Sequence, residues 1–216
     1  MILLFLGASG SGKDTQARNL VKDYGFLNIG SGEMLRLFIK KNNSLGRLVK
    51  KYVNCGNLVP DKMFWEVVSA YIKKSSKRSN VVYQGFVRKV SQIEILDTIL
   101  RKEGRTIDKV VYFDLSVGEA IKRLSKRRIC PRCNEIYDLE DKKPEKPGIC
   151  DNDGVRLIQR EDDKPDAIRR RMKFYTSNIE QILAIYKERG ILVKVDASRN
   201  IFEVYDELKN KIGYND

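Results

Sequence analysis

The stretch Gly7-Ala8-Ser9-Gly10-Ser11-Gly12-Lys13-Asp14-Thr15-Gln16 constrains this chain more than any other. It follows the apolar run Ile2-Leu3-Leu4-Phe5-Leu6 and opens a segment with helical periodicity. A strand, a glycine loop, a lysine and a helix in that order build a cradle for phosphate. The glycines let backbone N–H groups turn inward around an anion, the helix N-terminus adds partial positive charge, and Lys13 adds a full one. Gly10, Ser11, Gly12, Lys13, Asp14 and Thr15 are therefore the candidate phosphate contacts. The plain alternative is a tight turn with a surface lysine. The strand before the loop and the helix after it count against that alternative.

The rest of the chain fits an α/β fold. Short apolar runs at 2–6, 81–83, 110–113 and 191–195 read as strands, with amphipathic segments between them. In the last segment Ile201, Val204, Tyr205, Leu208 and Ile212 recur at helical spacing. Alternating strands and helices imply a parallel sheet covered on both faces, with ligand at the carboxyl ends of its strands. Two stretches break the pattern. Residues 30–59 read as helical with no evident strand, and residues 129–159 read as an inserted, loop-rich module.

The 216 residues are enough for one domain with small insertions. No apolar run approaches the roughly 20 residues of a membrane span. The N-terminal run lacks a basic flank and leads straight into the glycine loop. It therefore reads as a core strand and not a signal peptide, which predicts a cytoplasmic protein without membrane association. A net charge of +13 suits nucleic acid, a membrane surface or a phosphorylated small molecule. Basic residues are spread along most of the chain, so much of that excess is solvated surface.

The inserted module carries Cys130-Pro131-Arg132-Cys133 and Cys150-Asp151-Asn152-Asp153. Two ligand pairs, each with two residues between, form knuckles that aim four side chains at one tetrahedral centre, the geometry of structural zinc. Asp153 takes the fourth position, where a carboxylate oxygen is an acceptable ligand. Cys55 lies far from these and reads as a buried small hydrophobe.

With these motifs in view the chain resembles the adenylate kinases, in particular the bacterial long form with a zinc-bearing lid. The resemblance rests also on Ser31-Gly32-Glu33-Met34-Leu35-Arg36, Gly56-Asn57-Leu58-Val59-Pro60, Gly85-Phe86-Val87-Arg88 with Gln92, and Arg160-Glu161-Asp162-Asp163 leading to Arg171. It implies the phosphate-loop nucleoside monophosphate kinase fold: a five-stranded parallel sheet flanked by helices. Residues 1–29, 60–128 and 160–216 would form the core, 30–59 the AMP-binding part and 129–159 the lid. It implies the reaction ATP + AMP ⇌ 2 ADP with Mg²⁺, a structural Zn²⁺ and a monomer.

The resemblance also assigns roles. Arg123 and Arg127 join the glycine loop in holding ATP. Ser31, Arg36, Asn57, Val59, Gly85, Arg88, Gln92, Arg160 and Arg171 surround AMP. Lys13, Arg88, Arg123, Arg160 and Arg171 serve the transfer itself. Arginine suits this work because its planar fork grips phosphate oxygens and keeps its proton. Gln92 suits the adenine edge because an amide donates and accepts at once. Asp162 and Asp163 would orient arginines or cap the helix before Pro165, and Arg128 reads as surface.

The chain departs from the family pattern in places. Ser9 replaces a usual proline, Asp14 a glycine, Gln84 an aspartate and Lys89 a threonine. An amide at position 84 brings no charge toward magnesium, and Asp14 could restore that charge from the loop side. A weakly active paralogue, or a kinase for another monophosphate, is the alternative these departures raise. A zinc-containing nucleic-acid binder would use the +13 charge. It lacks aromatics interleaved along a basic stripe, so nucleic acid is not an expected partner.

Overall fold

The structure, a computed structural model, describes residues 1–41, 43–75, 80–140 and 142–214. The first strand, β1 (Ile2–Gly7), runs into the glycine loop and α1 (Lys13–Tyr24). Then follow β2 (Leu27–Gly30), α2 (Ser31–Lys40), α3 (Ser44–Asn54), α4 (Asp61–Ser75), β3 (Val81–Gln84), α5 (Ser91–Lys102), β4 (Lys109–Asp114) and α6 (Val117–Lys126). The inserted module holds the short strands β5 (Arg127–Ile129) and β6 (Ile136–Asp138). A 3-10 turn (Glu161–Asp163) leads into α7 (Pro165–Thr176), α8 (Ile179–Glu188), β7 (Leu192–Asp196) and α9 (Ile201–Ile212).

Five parallel strands form one sheet in the order β2-β3-β1-β4-β7. The side-chain period of two sorts β1 between its faces. Ile2, Leu4 and Leu6 pack with Val81, Tyr83 and Val110 on one side. Leu3 and Phe5 pack with Val82, Val111 and Phe113 on the other. Both faces are covered by helices, so every position of β1 up to Leu6 is buried and the run reads as continuously apolar. In α9, Val204, Leu208 and Ile212 form the buried stripe that the spacing predicts.

The sheet includes a strand that the apolar pattern does not announce. Leu27-Asn28-Ile29-Gly30 is a four-residue edge strand that pairs, among the described residues, with β3 alone. Half of it is polar or glycine, because an edge strand next to a ligand site need not be apolar throughout. The expectation of helices without a strand holds for α2 and α3, but β2 stands immediately before them.

The strand order reverses about β1, with β3 on one side and β4 on the other. Ligand belongs in the crevice outside the carboxyl ends of the strands at such a point. Gly7, Gly30 and Gln84 all end their strands there.

Cys55 is exposed and not buried. It occupies the C-cap of α3, and the inward position belongs to the next residue. Gly56 has φ +71° and lies so close to α7 that a Cβ would stand 2.5 Å from the Ala167 carbonyl oxygen. The backbone therefore packs through Gly56, and the thiol faces out. Arg128 is half-buried rather than a plain surface residue, with its guanidinium donating to the carbonyls of Ser125 and Arg127 at the end of α6.

Candidate active site

The glycine loop is bent as an anion cradle requires. Gly10 (φ +89°) and Gly12 (φ +80°) occupy the left-handed region. A Cβ on Gly10 would meet the Ala120 carbonyl oxygen at 2.9 Å. Gly12 is the N-cap of α1 and offers no side chain to satisfy the first N–H groups, so they remain available to a ligand. The Lys13 ammonium donates to the Ala8 carbonyl at 3.0 Å.

A cavity of about 320 Å³ opens beyond the carboxyl ends of β1, β2 and β3. The phosphate loop reaches it through Gly10, Lys13 and Asp14. The opposite wall carries Ser31, Arg36, Asn57 and Val59 from the segment around α2 and α3, with Gly85, Arg88 and Gln92 beside β3. Arg127, Arg160 and Arg171 complete it, and Pro131, Asn134 and Ile136 of the inserted module lie across it. Residues far apart in sequence thus form one chamber. Ser11 is buried within the loop, while Gly12 at the N-cap of α1 and Thr15 within it do not line the cavity. Arg123 stands apart on α6, where its guanidinium donates to the Ala197 and Ser198 carbonyls and pairs with Glu119.

Positive charge is crowded here. Burial first, and the neighbouring guanidiniums of Arg88, Arg171 and Arg127 after it, push Lys13 down to about 8 despite the pull of Asp14. Arg88 is pushed down to about 10 by burial and Arg171. Arg160 is pushed to about 10 by burial, Arg36 and Arg127. The Arg160 Nε is buried without a hydrogen-bond partner among the described residues. Burial and neighbouring guanidiniums thus disfavour the charge on Lys13, Arg88, Arg160 and Arg171, which describes a site completed by a polyanion. Burial works against the Asp14 carboxylate, yet Lys13, Arg127, Arg36 and Arg160 hold it below the usual carboxylate range.

Two acids organise this cluster. Asp163, 1 % exposed, accepts from Arg127 Nε at 2.8 Å and again from its Nη2. Arg171 Nη1 donates to the Asp162 carbonyl at 2.8 Å and lies 3.2 Å from the Asp162 carboxylate. Neither acid caps α7, whose N-cap is Lys164 without a side-chain bond. Their work is to orient arginines. Arg171 Nη2 also donates to Ser9 Oγ at 2.7 Å, a bond that a proline at position 9 could not accept. Gln84, 3 % exposed, donates from Nε2 to Asn28 at 2.7 Å, while its Oε1 is buried and unpartnered among the described residues.

Sequence reasoning missed Asp61. Its carboxylate accepts from Gln92 Nε2 at 2.8 Å and pairs with Lys89 at 2.7 Å. The only local signal was an acid opening a helix after Pro60. Arg18 on α1 was also missed: it pairs with Glu135 and the Asn134 carbonyl, tying the inserted module to the core.

In the inserted module one ligand atom each from Cys130, Cys133, Cys150 and Asp153 lie within 4.8 Å of one another. Cys133 Sγ and Cys150 Sγ are 3.6 Å apart, far beyond a disulfide bond. Tetrahedral zinc with bonds of ~2.3 Å to sulfur and ~2.0 Å to oxygen needs S···S edges of about 3.7 Å and S···O edges of about 3.5 Å. The observed 3.6 Å, and 3.2 Å from Cys130 Sγ to Asp153 Oδ1, fit such a set. Tyr137 Oη donates to Cys150 Sγ, and the Arg132 N–H donates to Cys130 Sγ, as thiolates would require.

The comparisons with known proteins agree with this chamber. The family model described as adenylate kinase matches residues 5–191. The adenylate kinase of Thermococcus onnurineus is 37% identical over 214 residues, covering 99% of this chain and 95% of that one. The adenylate kinase of Hydrogenobaculum sp. is 38% identical over 212 residues, covering 98% and 100% respectively. That of Pyrococcus furiosus is 36% identical over 214 residues, covering 99% and 96%. A parallel sheet with a phosphate loop at its switch point, a cation-lined chamber and end-to-end relatives converge on one conclusion: the chain belongs to the adenylate kinase family.

Proposed function

We propose that the protein catalyses ATP + AMP ⇌ 2 ADP, with magnesium arriving as part of the nucleotide substrate. The observation that carries this reading is the chamber itself. A phosphate loop on one wall faces the α2–α3 segment on the other across one cavity, and Lys13, Arg36, Arg88, Arg127, Arg160 and Arg171 line it. Phosphoryl transfer asks little covalent chemistry of a protein. It needs two phosphates aligned, their charge met and water excluded.

In this reading the core comprises 1–29, 60–128 and 160–216, the AMP part 30–59 and the lid 129–159. Gly10, Ser11, Gly12, Lys13, Asp14 and Thr15 with Arg127 hold the ATP phosphates; Arg123, engaged by Glu119 and the Ala197 carbonyl outside the cavity, is not among the residues this reading sets at the transfer. Arg36 and Arg88 grip the AMP phosphate while Ser31, Asn57, Val59, Gly85 and Gln92 receive its nucleoside. Arg160 and Arg171 meet charge at the transferring group. Asp14 supplies a hard oxygen near the phosphates, where magnesium prefers such ligands. The protein works as a monomer in the cytoplasm, where thiols stay reduced.

The test is ADP formation from ATP and each nucleoside monophosphate in turn. AMP is expected to turn over fastest; faster turnover of UMP or GMP would overturn the reading.

The lid cluster holds one structural zinc. Among its described residues the lid buries Ile129, Cys130, Tyr137, Cys150 and Leu157 around one short hairpin, too little for an independent core. Its four ligands leave no open position for catalysis. Elemental analysis is expected to find one zinc per chain. Stripping it with a strong chelator is expected to remove about 2–3 kcal/mol and lower Tm by roughly 5–10 °C. Activity at 25 °C is expected to fall less. Protein purified without chelator and free of metal would sink this assignment.

A further inference from the structure

The Gln92 side chain is almost fully enclosed, 3 % exposed, yet it lines the chamber. Both ends of its amide are already engaged by the protein. Oε1 accepts from the Arg88 backbone N–H at 2.8 Å, and Nε2 donates to Asp61 Oδ1 at 2.8 Å. Asp61 in turn gives its other oxygen to Lys89 Nζ at 2.7 Å. The backbone of the turn is fixed too, since the Gln92 N–H donates to the Lys89 carbonyl at 3.0 Å.

The orientation of an amide is ordinarily ambiguous, because oxygen and nitrogen exchange on a half-turn. Here it is not. A carboxylate can only accept and a backbone N–H can only donate. Turning the amide over would set Oε1 against a carboxylate oxygen and Nε2 against another N–H at the same time. The two partners leave one N–H and one lone pair of Gln92 uncommitted, in a fixed left-to-right order.

That order matters for a purine. Adenine presents an acceptor at N1 beside an N6 donor. Hypoxanthine and guanine present the reverse, an N1–H donor beside an O6 acceptor. An amide free to turn over would serve either edge; a locked one serves only one. We infer that Asp61 is a positioning residue that locks the Gln92 amide and thereby sets the preference for a 6-amino over a 6-oxo purine monophosphate. This rests on the reading that Gln92 meets the acceptor base.

Lys89 sharpens the test. An ammonium can only donate, so in Asp61→Asn it captures the new Oδ1 and turns the Nδ2 donor toward Gln92. Two donors then compete for the one Gln92 oxygen, and the lock fails. Removing Lys89 as well frees the asparagine to turn its oxygen back to Gln92, which restores the original order without restoring any charge. A merely structural role for Asp61 predicts no such rescue.

The experiment measures kcat/KM for AMP and for IMP, with ATP as donor, on the wild-type chain and four variants: Gln92→Ala, Asp61→Asn, Lys89→Ala and Asp61→Asn with Lys89→Ala. The ratio of the two values does not depend on the fraction of folded enzyme. The wild-type chain is expected to favour AMP by about 100-fold or more. Asp61→Asn is expected to shrink that ratio about tenfold, and the double variant to regain several-fold of the loss. Lys89→Ala alone is expected to keep the ratio within about twofold. If Gln92→Ala abolishes the preference while Asp61→Asn leaves it intact, the lock is wrong and the base-reading role stands. If Gln92→Ala leaves the preference at its wild-type value, both fall.

Discussion

Replacing Arg88 by Ala is expected to lower kcat about 100-fold or more and to raise the KM for AMP, while raising the melting temperature of the empty protein. The two directions have one cause. The guanidinium is held by the Gly85 carbonyl at 3.3 Å in a wall that also carries Arg171 and Arg36. Burial, then Arg171 and Arg36, push it down to about 10 against the pull of Asp162 and Asp14, so the charge is poorly tolerated without a bound anion. An alanine relieves that repulsion, so the apoprotein gains stability. The same alanine removes the planar fork that would hold the acceptor phosphate in line. Misplacing a reacting group by about 1 Å costs on the order of 100-fold in rate. Arg88→Lys keeps the charge but loses the bidentate grip, and is expected to fall between the two. Steady-state kinetics and thermal melting check both halves. A raised KM with unchanged kcat would mean that Arg88 contributes only uniform binding, against this account.

The largest stability loss is expected from Asp163→Ala. Asp163 carries a buried carboxylate between Arg127 and Arg171, and the Arg127 side chain is itself only 11% exposed. Removing one partner of a buried pair leaves an uncompensated charge and costs ~3–5 kcal/mol. For a chain of this size that lowers Tm on the order of 10 °C. Burial opposes the Arg127 cation, but Asp163 together with Asp162 and Asp14 raises it above its usual value, so the alanine variant also removes the main partner of a cation in the chamber wall. Turnover is expected to fall with stability, since Arg127 loses the partner that aims it. Asp163→Asn keeps one acceptor and is expected to lose about half as much stability. An Asp163→Ala melt within 2 °C of the wild type, roughly 1 kcal/mol or less, would contradict this account.

Acid has a related effect through the neighbouring carboxylate. Burial opposes the charge of Asp162, but Arg171, Arg127, Arg160 and Arg36 hold it below its usual value of 3.8. The stability it adds is therefore complete above that value and is lost as pH falls below it.

How much of the site could be read in the sequence follows from how local each feature is. The glycine loop was legible because Gly10 and Gly12 need left-handed backbone within a few residues of β1 and α1. The cluster of Cys130, Cys133, Cys150 and Asp153 was legible because each pair spans a four-residue turn, and only its closure across 17 residues from Cys133 to Cys150 needed the fold. The strand β2 was not legible, because an edge position lets Asn28 stand where the periodicity of a core strand would demand an apolar residue. Cys55 was misread because composition near a glycine does not say which of two adjacent residues faces α7.

The sequence by itself determined the α/β layering and the phosphate loop. Both arise from apolar period and backbone freedom over contiguous stretches, which few alternative packings can satisfy. The partnerships among charged and polar side chains were decided only by tertiary structure. Arg171 meets Ser9 across 162 residues, Arg127 meets Asp163 across 36, and Gln92 meets Asp61 across 31. Nothing in an arginine or a glutamine specifies its partner locally. The docking of α4, α5 and α7 at the carboxyl ends of the strands brings a donor within about 3 Å of an acceptor, and at that range directional bonding alone selects among many chemically equivalent neighbours.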